Sequence, residues 1–211
     1  YVPEFLEDII EKNLNCIQFI KSPNDQLPLF NGANSFSLNQ INKYLENFKP
    51  SVKNSILGGL FKIKHKGHFL IIDVEKPPQK SFSKSYQAGP LSFEYFLDGI
   101  KIITNSGFGS NISKKAELLS RITACQSTLT INDTSITKFE KNEMINNIFG
   151  NSIQNSFKSF DFFYKNESKI VGCSATNNGY EKEFGCTHKR EIYVDKENSY
   201  LKGTDHIFKA K

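Results

Sequence analysis

The hydrophobic period of this chain changes from helical to alternating near residue 55, and that change constrains the fold more than any other feature. Val2, Phe5, Leu6, Ile9, Ile10, Leu14, Ile17 and Ile20 recur at helical spacing, which predicts an amphipathic helix with one buried face over residues 2–20. Ser22 to Ser35, punctuated by Pro23, Pro28 and Gly32, reads as loop. Ser37 and Gln40 resemble a capping box, and Leu38, Ile41, Tyr44, Leu45 and Phe48 extend a second helix that Pro50 ends.

Beyond residue 55 the apolar positions alternate. Leu60 to His65 and His68 to Asp73 flank Lys66-Gly67, a two-residue hairpin signal. Leu91 to Leu97 and Ile100 to Thr104 flank Asp98-Gly99, a type I′ signal because both turn residues must take positive φ. Further strands are expected near 127–132, 153–164, 168–176, 183–194 and 199–203. A basic, Pro-containing loop (Lys76 to Lys84) and a mixed segment (Asn111 to Ser120) interrupt them. Hairpin-linked strands with few, local helices predict a mainly β fold: an antiparallel β-sandwich preceded by two or three helices. The expected division is a helical segment over 1–54 and a sandwich over 55–211.

With 38% hydrophobic residues and 19 Phe, the chain has enough apolar material for a packed core. The net charge of +5 is compatible with an acidic partner such as an anionic polysaccharide. Basic residues come in short runs, without a long stretch interleaved with aromatics, so nucleic acid is not expected. No apolar run approaches the roughly 20 residues of a membrane helix. Cys16, Cys125, Cys173 and Cys186 form no CxxC pair; Cys173 and Cys186 flank a hairpin turn and could face each other, although reduced thiols are the commoner outcome. The start at Tyr1 and the strand-like end at Asp205–Lys211 read as breaks in a longer protein.

Several short motifs carry little. Gly107-Phe108-Gly109 lacks the ending of a phosphate loop, and His65 with His68 near Asp73 gives only two metal ligands on an exposed turn. Three glycosylation patterns, at Asn111, Asn132 and Asn166, are what chance gives in so Asn-rich a chain.

Four ordered segments are more informative. Ser85-Tyr86-Gln87-Ala88-Gly89-Pro90-Leu91-Ser92-Phe93-Glu94 leads to Asp98-Gly99 and Asn105-Ser106-Gly107. Arg121-Ile122-Thr123-Ala124-Cys125-Gln126-Ser127-Thr128 follows, then Gly179-Tyr180 and His188-Lys189-Arg190. Together they resemble the C-terminal β-sandwich domain of the heparinase II/III-like polysaccharide lyases, and the helices then resemble the end of that family's α/α-toroid.

The resemblance implies a fragment of a lyase that cleaves uronic-acid polysaccharide by β-elimination in the cell envelope or periplasm. Proton abstraction α to a carboxylate needs a base and a group that neutralises the carboxylate. Both come chiefly from the family's toroid, most of which lies outside this chain, so the fragment alone is expected to be inactive. The family's zinc-ligand positions fall on Gln87, Asn105 and Gln126, and a catalytic histidine of some members falls on Ser85. Neutral amides are not zinc ligands, so neither metal nor cofactor is expected; the three amides are expected to gather into a hydrogen-bonded cluster instead. Arg121, His188, Arg190 and Tyr86 match positions that could meet an anionic sugar. The alternative reading is a non-catalytic carbohydrate-binding or structural sandwich.

Overall fold

The structure is a computed structural model and describes residues 3–34, 38–46 and 55–210. The expected cap at Ser37 and the stop at Pro50 lie outside the described residues.

Helix α1 spans Glu4–Ile20, with Glu4 and Glu7 in the first turn, where carboxylates favour the positive end of the helix dipole. Its C-terminal half packs through Phe19, while Phe5, Leu6, Ile9 and Ile10 stay exposed. The single buried face expected of α1 is thus only half realised here, because among the described residues nothing covers Phe5, Leu6, Ile9 and Ile10. Helix α2 spans Asn39–Glu46.

Two antiparallel meanders follow. The first sheet runs in the order β1 (Ile56–Leu57), β2 (Leu60–His65), β3 (His68–Asp73), β4 (Phe93–Leu97), β5 (Ile100–Ile103). The second runs β6 (Ser159–Asn166), β7 (Ile170–Asn177), β8 (Cys186–Asp195), β9 (Tyr200–Lys209). Asp98 and Gly99 both take positive φ, at 50° and 80°, as the type I′ reading requires. The neighbouring hairpin tip needs Gly67 for another reason: a Cβ there would sit 1.9 Å from Asp98 Oδ1, and the Asp98 N–H donates to the Gly67 carbonyl.

The sheets pack face to face. Phe61, Ile63, Leu70, Ile72 and Tyr95 of the first meet Val171, Cys173, Ala175, Ile192 and Val194 of the second. The other face of the first sheet is also covered, where Phe69, Ile71 and Phe96 pack against Phe30, with Ile20 beside them. Burial on both faces explains why all six residues of β3 are buried, whereas β8 alternates strictly. Cys173 and Cys186 fall in separate clusters, and all four cysteines are free thiols.

Between β5 and β6 the chain leaves the sandwich and builds a third apolar cluster around Tyr86, Ile136, Ile153, Phe157 and Tyr180. This excursion carries two helices, α3 (Lys114–Leu119) and α4 (Glu143–Phe149). Neither was expected from apolar periodicity, yet each has a sequence signal: Ser113 caps α3 through the Ala116 N–H, and Asn142 caps α4 through Met144 and Ile145. Helix α5 (Glu181–Phe184) is a single turn before β8. The strand expected over 127–132 is a loop instead, with one isolated bridge from Ile131 to Thr134.

Candidate functional site

Gln87, Asn105 and Gln126 are all buried, and they converge on the backbone around Ser120 and Ser127. The Gln87 amide nitrogen donates to the carbonyls of Gly107 (3.0 Å) and Ser120 (3.1 Å), while its oxygen accepts the Gly32 N–H at 3.1 Å. The Gln126 amide nitrogen donates to the same Ser120 carbonyl at 2.7 Å. The Asn105 oxygen accepts from the Ser127 N–H (2.9 Å) and hydroxyl (3.0 Å).

The amides therefore do not bond one another, as the sequence suggested, but share backbone partners. Gln87 and Gln126 meet at one oxygen, and Asn105 holds the residue after Gln126. Together they tie four segments, at residues 32, 105–107, 120 and 126–127, that have no ladder between them. Gly32, at φ +97°, permits the approach, since a Cβ there would lie 2.7 Å from the Ser85 Cβ.

Zinc does not fit this arrangement. The Gln87 and Asn105 oxygens already accept N–H groups, both Gln nitrogens carry hydrogens that point at carbonyls, and none of the three side chains ionises to a ligand. Among the described residues no group of three or more His, Cys, Asp or Glu side chains could hold a metal ion.

Beside these amides lies a cleft of about 440 Å³, lined among others by Asn31, Asp73, Lys76, Phe82, Ser85 and Tyr86. Asp73 ends β3 and is 5% exposed. Burial pushes its carboxyl up to about 7, against the lowering effect of hydrogen bonds from the Glu75 N–H and the Asn31 amide. Tyr86 lines the same cleft although it is largely buried; its hydroxyl has no partner among the described residues, and burial followed by the nearby Asp73 charge pushes its pKa well up. Phe82 stands exposed at the mouth.

Arg121 lies behind Tyr86. It is fully buried, with Nε on the Tyr86 carbonyl and one terminal nitrogen on the Ser83 carbonyl, both at 2.8 Å. Its guanidinium lies 4.1 Å from the Phe139 ring centre, and its other terminal nitrogen is buried without a partner among the described residues. Burial lowers the guanidinium to about 10.

His188 and Arg190 lie elsewhere, on the inner face of β8. The His188 Nε2 is 2.6 Å from Asp205 Oδ1, and its Nδ1 faces the Asn177 amide. Arg190 grips Asp205 with Nε (2.8 Å) and a terminal nitrogen (2.9 Å), and its other terminal nitrogen holds the Leu91 and Ser127 carbonyls. The structure thus brings Tyr86 to the cleft, puts Arg121 directly behind it, and sets His188 and Arg190 in a separate pin between the sheets.

His68 and His65 do not form a ligand pair. The two nitrogens of His68 contact the Tyr95 hydroxyl (2.7 Å) and the Ser199 hydroxyl (3.0 Å). Sequence reasoning missed Asp73 as a cleft residue and missed Asp205 altogether. Asp73 carried a usable signal, a carboxylate directly after the apolar run Phe69–Ile72; Asp205 carried none, since only strand register sets it opposite Arg190.

A sequence profile described as "Heparinase II/III-like, C-terminal" matches residues 51–211. Among solved structures, the heparan sulfate lyase HepC from Pedobacter heparinus shares 15% identity at a TM-score of 0.67, over 98% of this chain and 33% of that one. A heparinase III gene product shares 15% identity at a TM-score of 0.71, over 99% of this chain and 34% of that one. At such identities the likeness shows the fold, and the chain spans about a third of the length of these proteins. A search of curated proteins by sequence finds no match.

Proposed function

Because its residues 51–211 carry the C-terminal domain of the heparinase II/III-like family, the chain belongs to that family, and on that premise we propose that it is the sandwich portion of a polysaccharide lyase. The substrate is an acidic, uronate-containing polysaccharide, and the reaction is β-elimination. Residues 55–211 form the sandwich domain and 1–54 the end of an α/α-toroid. The exposed row Phe5, Leu6, Ile9 and Ile10 on α1 supports that division, as an apolar face suited to docking on further toroid helices.

The observation that carries the reading is the cleft at Asp73 and Tyr86. Its walls come from the loop between α1 and α2, through Asn31, and from the sandwich, through Ser85 and Tyr86. A carboxyl poised near 7 is partly neutral at physiological pH, so the cleft floor repels an anionic sugar less than an ordinary aspartate does. Tyr86 faces substrate directly. Arg121 acts through the Tyr86 carbonyl it holds, and Arg190, with Asp205 and His188 beside it, through the Leu91 and Ser127 carbonyls it holds. The base and the carboxylate-neutralising group belong to the toroid, so this portion alone does not catalyse.

The test is to incubate the full-length protein with a panel of uronate polysaccharides and follow the absorbance of the unsaturated product. A rise with at least one substrate is expected. A flat trace across the panel, with polysaccharide still bound, would instead favour a non-catalytic carbohydrate-binding sandwich, a reading supported by Ser85 and the three amides, none of which is a ready proton-transfer group.

A further inference from the structure

A second cavity, of about 450 Å³, opens between the end of α1 and the β2–β3 hairpin and shares no lining residue with the Asp73 cleft. Four lysines line it, Lys21, Lys62, Lys64 and Lys66, against two carboxylates, Asp25 and Asp98. Lys21 is accounted for, since its ammonium pairs with Asp25 at 2.8 Å. The other three have no carboxylate partner among the described residues.

Lys62 is the most telling. It is half-buried, and its Nζ donates to the Phe19 carbonyl at 2.7 Å and lies 4.3 Å from the Phe19 ring centre. A carbonyl at the C-terminal end of α1 and an aromatic face attract a cation, but neither neutralises it. Burial, and then the neighbouring Lys64, push the Lys62 pKa down. Among the described residues Lys66 hydrogen-bonds to the Lys196 carbonyl, at 3.3 Å. At His68 burial favours the neutral ring and lowers its pKa, and both ring nitrogens contact hydroxyls. A partly desolvated cation is ordinarily paired, so Lys62 is short of an anion, and two further lysines line the same groove.

We propose that this groove is an anion-binding subsite that takes the sulfate or carboxylate groups of an acidic sugar chain, away from the Asp73 cleft. Its assignment to a sugar rests on the lyase reading above. Lys62 and Lys64, two residues apart on β2, point to the same face, and Lys66 continues the row onto the turn. Successive same-face positions on a strand are about 7 Å apart. A row of ammonium groups at that spacing suits a chain with repeated anionic groups better than a single small ion.

The test uses the full-length protein, a sulfated uronate tetrasaccharide, its desulfated counterpart and a neutral tetrasaccharide. Lys64 and Lys66 are exposed, so their substitution leaves the core untouched. Calorimetry is expected to show Lys64→Gln/Lys66→Gln weakening binding of the charged probes by about tenfold, with Lys64→Arg/Lys66→Arg close to wild type. Hydrogen-exchange protection over residues 62–69 is expected with a charged probe and not with the neutral one. Loss confined to the sulfated probe assigns the site to sulfate; loss with both charged probes shows that carboxylate suffices. Unchanged affinity in the Gln variant together with no protection over 62–69 overturns the proposal, even if the protein cleaves polysaccharide. Charge-dependent binding here in a protein that cleaves nothing leaves the groove standing and removes the lyase reading.

Discussion

Gln87 and Gln126, 39 positions apart, donate their side-chain N–H groups to one carbonyl oxygen, that of Ser120. Two donors on one acceptor hold each other in place through it, so the two side chains act as a unit. Removing Gln87 leaves the Gly32 N–H without its acceptor, and removing Gln126 costs the Ser120 carbonyl one of its two amide donors; losses of this kind run to about 1–3 kcal/mol. Gln87→Ala and Gln126→Ala are each expected to destabilise by that order, and the double variant to depart from the sum by at least ~0.5 kcal/mol. Urea titrations of the four proteins measure it. Strict additivity would show that the shared oxygen does not couple the pair.

Asp205 governs the acid limb of stability. Hydrogen bonds from His188 and Arg190, with the charge of both, hold its carboxyl well below the usual carboxylate range despite the opposing effect of burial. A depressed folded pKa contributes stability that is present above the unfolded value of about 4 and lost as pH falls through the folded value. The wild type should therefore lose stability on acidification below about pH 4 more steeply than Asp205→Asn. At neutral pH the variant should be weaker by about 2 kcal/mol, a figure kept low because Asp205 is 38% exposed. Thermal melts across the acid range read both effects.

Asp73 works in the opposite direction. Its pKa is raised to about 7 in the folded protein, so its contribution is most favourable below the unfolded value and declines as pH rises towards and through 7. Asp73→Asn is expected to flatten the fall in stability between about pH 4 and 7. Parallel slopes for the two proteins in that window would contradict the burial argument.

Gly67→Ala places a methyl group 1.9 Å from Asp98 Oδ1, at the contact between two hairpin tips. A cost of about 1–3 kcal/mol is expected, because backbone or side chain must shift. Asp98→Ala in the same background should recover part of it. A neutral Gly67→Ala variant in a chemical melt would show that the tips are not in contact.

Local chemistry made the sandwich legible. Asp98-Gly99 announced its turn through the backbone angles those residues tolerate, and the alternation of β8 announced its two faces. The 127–132 segment shows where that reasoning stops. Its residues alternate like a strand, yet the Ser127 carbonyl goes to Arg190 and the Leu129 carbonyl to the Tyr180 hydroxyl, with no neighbouring strand alongside. The amide positions stood out in the sequence only through their resemblance to a family pattern. Their shared carbonyl on Ser120, and the pairing of Arg190 with Asp205, depend on contacts between distant segments that no local spacing encodes.

The central claim is that this sandwich secures the loops beside its cleft with amides, at positions where the resemblance to the family pattern implies metal ligands. Elemental analysis of the protein purified from zinc-supplemented medium, before and after a chelator, tests it most directly when paired with melting curves. The account predicts far less than one zinc per chain and a melting temperature the chelator does not move. About one tightly held zinc per chain, with a melting temperature that drops when it is stripped, would contradict it.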